Sequence, residues 1–341
     1  MATAIGVLST YPPTQCGLAT FSAALVAGLV EAGADVGIVR SIEPAEARSP
    51  AGSAVVHHLV RGGSAAAAAA ALDHYDVALV QHEYGIYGGP DGDEVLDVVR
   101  RTTVPVVVVL HTVLTHPTAH QHQVLAELVA MAEVVVLMTE TARTRLHARW
   151  VVDPARVHVI PHGAAAAIVG VPDAARTDRP MILTWGLLGP GKGIEWALEA
   201  MTSLRDLHPR PRYHVVGETH PHVVARDGER YRTGLQATVT RLGLDDDVVL
   251  DGRYLDTPSL QRLVRSADIV LLPYDSREQV TSGVLTEAVA AGRPVVSTRF
   301  PHAVELLGSG AGLLVPQRDP HAIATALRRL LTEPGLAALM A

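Results

Sequence analysis

Short apolar runs rich in valine and isoleucine recur along the chain, at residues 4–8, 36–39, 77–80, 104–110, 134–138 and 157–160 and again at 181–185, 213–216, 248–250, 269–272, 294–297 and 312–315. They are continuously apolar instead of alternating, which marks strands covered on both faces. Stretches of helical character lie between them, at 21–31, the alanine-rich 65–72, 93–100 and 121–132, then at 194–201, 234–242, 259–266, 284–291 and 321–331. Strand and helix alternate, so each half predicts a parallel sheet wrapped by helices. Small residues, prolines and scattered charges without periodicity predict a linker over 166–180, separating an N-terminal domain at 1–165 from a C-terminal one at 181–341. The pattern is α/β, with two Rossmann-like parallel-sheet domains facing a central cleft, and that cleft is the expected site.

Composition supports two cores: the 341 residues are 48% apolar and 18% charged. A formal net charge of -7 argues against a nucleic-acid or anionic-membrane partner, so an anionic ligand must meet a local cationic pocket. The single cysteine, Cys16, excludes an intramolecular disulfide and a thiolate metal site, which suits a reducing compartment. Residues 1–30 carry no charge, but Pro12 and Pro13 divide them and the remaining apolar segment, 17–30, is too short to span a bilayer. These features predict a cytoplasmic chain that starts directly with its first strand and has no transmembrane segment.

Lys192 is the one lysine in the sequence, and it sits in the glycine-rich stretch Gly186-Leu187-Leu188-Gly189-Pro190-Gly191-Lys192-Gly193. An apolar run precedes this loop and an amphipathic segment follows, so strand, turn and helix aim the ammonium at whatever occupies the helix N-terminus, where phosphate is commonly held. Lysine is a compact charge suited to one oxygen of a diphosphate. The plain alternative is a surface lysine after a tight turn.

Ligands of open parallel sheets bind at the carboxyl ends of strands. Polar clusters fall at such ends: Gln15-Cys16-Gly17, His82-Glu83-Tyr84-Gly85, His111-Thr112, the Lys192 loop, Gly217-Glu218 and Tyr274-Asp275. In the stretch 279–296, Ser282, Gly283 and Val284 open an apolar helical run, which predicts exposed amides and a second anion cradle. Glu287, one turn inward, is placed to accept two hydrogen bonds from vicinal hydroxyls, or merely to complement the helix dipole.

These residues carry a resemblance. The chain resembles the retaining GT-B glycosyltransferases of glycosyltransferase family 4 from Tyr11-Pro12-Pro13 to about Glu333, through Gly17, His111, Ile160-Pro161-His162-Gly163, the loop from Gly186 to Gly193, and Glu287-Ala288 through Val296. The resemblance implies a nucleotide-sugar donor held mostly by the C-terminal half, with Gly191 and Lys192 on the diphosphate, Ser282, Gly283 and Val284 beside it, and Glu287 on the ribose. It implies that Gly17 lets its loop approach the phosphates and that His111 contacts the donor sugar. Charge builds on the diphosphate as the glycosyl bond breaks, so fixed cations and N–H dipoles there stabilise the transition state most, each by about 2.7–4 kcal/mol.

Three departures change the expectation. The family commonly has an arginine where this chain has Leu187, so either Lys192 works with fewer partners or an arginine elsewhere replaces the charge. The first of the family's paired glutamates falls at Gln279, which can still bind a sugar hydroxyl and so predicts altered donor preference and not lost activity. Members often end in a helix crossing back onto the first domain, whereas this chain stops at Ala341 and reads as shortened there.

On the acceptor side, His82, Glu83 and Tyr84 offer imidazole, carboxylate and a stacking ring to a sugar. An inverting reaction would need a base, with Glu83 or His111 as candidates. The retaining resemblance implies front-face attack assisted by the departing phosphate, with no obligatory nucleophile and no divalent ion. His116, His120 and His122 have spacings a metal uses, but no carboxylate is interleaved, so a loop and helix start near the acceptor is expected instead. His57 and His58 read as strand or loop positions.

A P-loop hydrolase fails at Gly193, where a hydroxyl must ligate magnesium, and a Rossmann oxidoreductase lacks its glycine fingerprint in the first loop. A GT-B epimerase or phosphorylase, or a non-catalytic nucleotide-sugar-binding protein, remains open on sequence grounds.

Overall fold

The computed structural model describes residues 2–46, 53–164 and 178–341, and the chain divides into two compact units, Met1–His162 and Gly163–Ala341. The first unit holds seven strands: β1 (Ala4–Ser9), β2 (Asp35–Ile42), β3 (Val55–Val60), β4 (Val77–His82), β5 (Val106–Leu110), β6 (Val134–Leu137) and β7 (Val157–Val159). All pair in parallel, in the order β3-β2-β1-β4-β5-β6-β7. The order reverses between β1 and β4, so the loops leaving those two strands part at that point and open a crevice, the place where such sheets bind ligands.

The second unit holds six strands: β8 (Met181–Trp185), β9 (Arg212–Val216), β10 (Val248–Asp251), β11 (Ile269–Leu272), β12 (Val295–Thr298) and β13 (Leu313–Val315). They too are parallel, ordered β10-β9-β8-β11-β12-β13, with the reversal between β8 and β11. Successive residues of one strand enter opposite cores. Ile182, Ile269 and Leu271 pack beneath the helices Ile194–Thr202 and Pro320–Thr332, while Leu183, Val270 and Leu272 pack against Gly283–Ala290 and Pro301–Leu307. Both faces are therefore dry, which is why these runs show no alternation.

The structure adds elements that the apolar pattern does not mark. Strand β3 is an edge strand with His57 and His58 opposite Val39 and Arg40, and those histidines interrupt its apolar run. The helix Glu140–Arg149 buries only Ala142 and Leu146, too few for an apolar stripe, and is held at its start by the Thr139 hydroxyl accepting from the Ala142 amide. The first helix, Gly17–Glu31, begins ahead of the expected 21–31, where the Cys16 thiol accepts from the Ala19 amide at 3.3 Å. Short helices at Pro221–Asp227, Pro301–Leu307 and Leu336–Leu339 are also new. Most of the linker expected at 166–180 lies outside the described residues; Arg179, near its end, docks on the second unit through Arg210 O, Asp246 O and the Asp247 carboxylate. Among the described residues no helix is long and apolar enough to cross a membrane.

Candidate functional site

Strand β8 leads through residues 186–193 into the helix Ile194–Thr202, and neighbouring loops grip this connection from two sides. The Leu188 amide donates to Glu218 O and the His220 amide to Leu188 O, both at 2.8 Å, while the Asp275 amide donates to Gly191 O at 2.9 Å. The approach is close enough to require glycine. A Cβ on Gly193, whose φ is +65°, would lie 1.9 Å from Pro273 O, and one on Gly217 would lie 2.1 Å from Gly186 O. The loops after β8, β9 and β11 thus lock together where the strand order reverses.

Lys192 stands at this lock. Its Nζ lies 4.4 Å from the centroid of the Tyr274 ring, which is itself stacked on Phe300 at 5.3 Å. The lysine keeps some accessible surface, but the atoms crowded around its ammonium bring its pKa down to about 8. The ring face compensates part of that desolvation. The structure therefore holds a cation under cover at the sheet's ligand-binding edge.

The helix Gly283–Ala290 begins next to it: the position of a Cβ on Gly186 is 3.6 Å from Val284 Cγ2. Here one sequence expectation is corrected. The Ser282 amide is not exposed but donates at 2.8 Å to Nδ1 of His302, and the Ser282 hydroxyl caps the Leu285 amide at 3.3 Å. Ser282 is 3% exposed and acts as a support, which leaves the Gly283 and Val284 amides without a partner within the helix. Glu287, one turn on, accepts a hydrogen bond from the Trp185 side chain; burial raises its pKa and that bond partly opposes the rise. The Tyr274 hydroxyl and Thr281 Oγ1 are buried without a protein partner among the described residues. Gln279 is partly buried, and its carbonyl accepts from the His302 amide at 3.3 Å.

Arg318 lies against the loop that follows β11. Its Nε donates to Asp275 Oδ2 at 2.7 Å, and Gln317 beside it donates to Ser276 O, also at 2.7 Å. Arg318 adopts φ +57°, a left-handed backbone unusual for a non-glycine residue. A cavity lined by Glu199, Arg241, Gln317, Arg318 and His321 includes none of Lys192, Glu287 or the helix start.

In the first unit, the residues flagged after β1, β4 and β5 gather at the strand reversal. Gly17 opens its helix with no atom within 4 Å of a notional Cβ and without a positive φ, so nothing described in this unit requires glycine there. His111 is 9% exposed, its Nε2 lies 2.7 Å from Gln81 Oε1, and its ring meets Phe21 edge to face at 4.8 Å. Burial, reinforced by His162 and His82, brings its pKa down to about 3, so the ring is neutral at physiological pH. With the amide oxygen facing the ring, Nε2 carries the proton and Nδ1 keeps a lone pair. His82 is fully buried, with its pKa down to about 4 and neither ring nitrogen bonded, so it presents no surface here. Glu83 accepts from the Gly85 amide at 2.7 Å and lies 3.4 Å from the Thr112 hydroxyl. Tyr84 donates to Gln121 O at 3.3 Å.

The expected histidine segment is structural. His120 lies 2.9 Å from Asp91 and 3.4 Å from Asp93, carboxylates supplied from a distant stretch, and His122 stacks on Trp150. Among the described residues no group of three or more histidine, cysteine or acidic side chains is arranged to hold a metal ion. Sequence reasoning missed Trp185, Gln81, His302 and Arg318. Trp185 and Gln81 sit at strand ends and read as core; His302 and Arg318 carry no local signal at all.

Residues 179–333, nearly all of the second unit, match the family model "Glycosyl transferases group 1". The chain is 31% identical over 224 residues, 62% of its length and 48% of the relative's, to a D-inositol 3-phosphate glycosyltransferase of Acidothermus cellulolyticus. It is 26% identical over 260 residues, 70% of its length and 64% of the relative's, to an alpha-D-kanosaminyltransferase of Streptomyces kanamyceticus. The matched stretches span about half to two thirds of the length of these curated relatives, 48% and 64%. Among solved structures, Anabaena HepE in complex with UDP superposes with a TM-score of 0.73 at 17% identity, covering 99% of this chain and 92% of that one. An alpha,alpha-trehalose-phosphate synthase (UDP-forming) from Burkholderia vietnamiensis gives 0.68 at 15%, covering 97% and 92%. The fold is GT-B.

Proposed function

We propose that this GT-B glycosyltransferase moves a hexose from a nucleoside-diphosphate sugar to a hydroxyl acceptor, with retention of configuration. The observation that carries the reading is Lys192, held over Tyr274 at the strand reversal of the second sheet, in the loop whose first residue, Gly186, approaches Val284 at the start of the helix Gly283–Ala290. A half-buried ammonium and two helix-start amides suit a diphosphate, whose negative charge grows as the glycosyl bond breaks. Glu287, oriented by Trp185, suits the vicinal hydroxyls of a ribose. That HepE, which shares this fold, was solved in complex with UDP supports a nucleotide as the ligand.

In this reading Gly17 leaves room for the donor phosphates, and neutral His111, oriented by Gln81, offers a polar contact to the sugar. Gln279 takes the hydroxyl that a glutamate would bind in related chains. Glu83 and Tyr84 line the acceptor side, with His82 beneath them as support. The acceptor hydroxyl attacks the face the diphosphate leaves, and the diphosphate oxygen receives its proton. The chemistry asks for no divalent ion, so EDTA should leave the rate unchanged. A donor made in the cytoplasm and a lone cysteine suit a cytoplasmic enzyme.

A thermal-shift panel of UDP-, GDP- and ADP-sugars identifies the donor, since a tight ligand raises the melting temperature. NMR of the products with that donor then tests the reaction: net transfer with an unchanged anomeric configuration supports it. Free isomerised sugar, dependence on inorganic phosphate, or binding without turnover would replace it with an epimerase, a phosphorylase or a binding protein.

A further inference from the structure

The turn that follows β12 reaches both parts of the anion site. Phe300 stacks on Tyr274, the ring beneath Lys192, and two residues later His302 meets the segment before the helix Gly283–Ala290 at two points. Its Nδ1 accepts from the Ser282 amide at 2.8 Å, and its own amide donates to Gln279 O at 3.3 Å. His302 is 5% exposed and Ser282 3%, so water does not substitute readily for either partner.

We infer that His302 is a positioning residue: by holding Gln279 and Ser282 from below, it sets where the Gly283 and Val284 amides stand relative to Lys192. Taking the Ser282 amide inward leaves the Gly283 and Val284 amides as the donors at the helix start, and fixes the residue that caps the helix. Such preorganisation matters because donors that must rearrange as charge develops stabilise it less. The acceptor must be the ring nitrogen attached to Cγ. Asparagine places its carbonyl oxygen on the same carbon and can replace it, whereas leucine fills a similar volume without an acceptor and glutamine carries its amide one carbon too far.

The functional consequence rests on the donor reading above, but the structural one does not, and the test separates them. Amide hydrogen exchange over residues 279–286 is followed in the ligand-free wild type, H302N, H302L and H302Q, and each is titrated with UDP, GDP and ADP. His302→Leu and His302→Gln should exchange about tenfold or more faster in this segment, with melting curves still cooperative, and should bind the preferred nucleotide about tenfold more weakly. His302→Asn should stay within about threefold of wild type in both. Unchanged exchange in H302L and H302Q, or H302N as impaired as they are, overturns the inference; if H302L does not fold, H302Q against H302N makes the same distinction. A wild type that binds none of the three nucleotides sinks the donor reading while the exchange comparison still decides the role of His302.

Discussion

The Lys192 ammonium sits 4.4 Å from the centre of the Tyr274 ring, so the charge that the sequence isolates in a glycine loop is met by an aromatic face from the strand on the other side of the sheet reversal. Two loops from strands far apart in sequence share one cation. Replacing Lys192 by methionine keeps the packing and removes the charge. Turnover should fall about a hundredfold or more, with the circular dichroism spectrum unchanged. A variant within about twofold of wild type would remove Lys192 from the mechanism.

The pKa of about 8 at Lys192 makes a second prediction whose sign is definite. In the native state the protonated form is disfavoured relative to the unfolded chain. That cost is fully present below pH 8 and disappears as pH rises toward the ordinary lysine value. Lys192→Met should therefore melt higher than wild type at neutral pH. Diphosphate binding runs the other way: affinity should be level below about pH 8 and fall above it, because the ammonium must be restored on binding. Calorimetric titration with UDP in buffers of different ionisation enthalpy reads the proton taken up; none taken up at pH 9 would contradict the assignment.

Arg318 offers a third test, because its backbone and its side chain pull in opposite directions. Glycine relieves the left-handed strain, about 1 kcal/mol, and gives up an exposed ion pair with Asp275 worth no more than that. Arg318→Gly should then melt at or above the wild-type temperature. If the arginine supplies the charge missing at Leu187, the same variant binds nucleoside diphosphate less tightly, most clearly at low salt. Stability kept together with unchanged affinity would restrict Arg318 to holding the loop.

Gly193→Ala tests the lock itself. The added carbon meets Pro273 O at 1.9 Å, so the loops after β8 and β11 must separate. A loss of about 3 kcal/mol or more is expected by chemical denaturation, together with loss of nucleotide binding.

His111 is neutral at working pH, so the rate should show no inflection attributable to its protonation near the ordinary histidine value. Gln81→Leu removes the group that orients its proton. About a tenfold fall in kcat is expected, with donor binding retained by thermal shift.

Much of this molecule is legible in its residues taken in order. Apolar runs such as 269–272 must be buried on both faces, so they imply parallel sheets, and the loop 186–193 announces a strand, a tight turn and a helix start. Lys192 and His111 stand out because they are charged or polar residues placed where strands end, and Glu287 because it lies one turn into a helix that opens with Ser282 and Gly283. Those are local properties, set by backbone geometry and by the period of hydrophobic positions.

What the residues in order could not supply is which loops meet. Tyr274 lies under Lys192, Trp185 orients Glu287, Gln81 orients His111, and His302 turns the Ser282 amide inward, all through contacts between segments separated by tens of residues. Strand order decides these pairings, and strand order depends on how two-sided apolar strands share a sheet, which no single run records. The histidines show the same division. His120 gains its carboxylates from Asp91 and Asp93, and His82 disappears into the core, although both sit in stretches of similar polarity. The chain by itself determined the elements and the chemical groups at their ends, whereas packing alone decided which groups are supported, which are buried and which remain to bind.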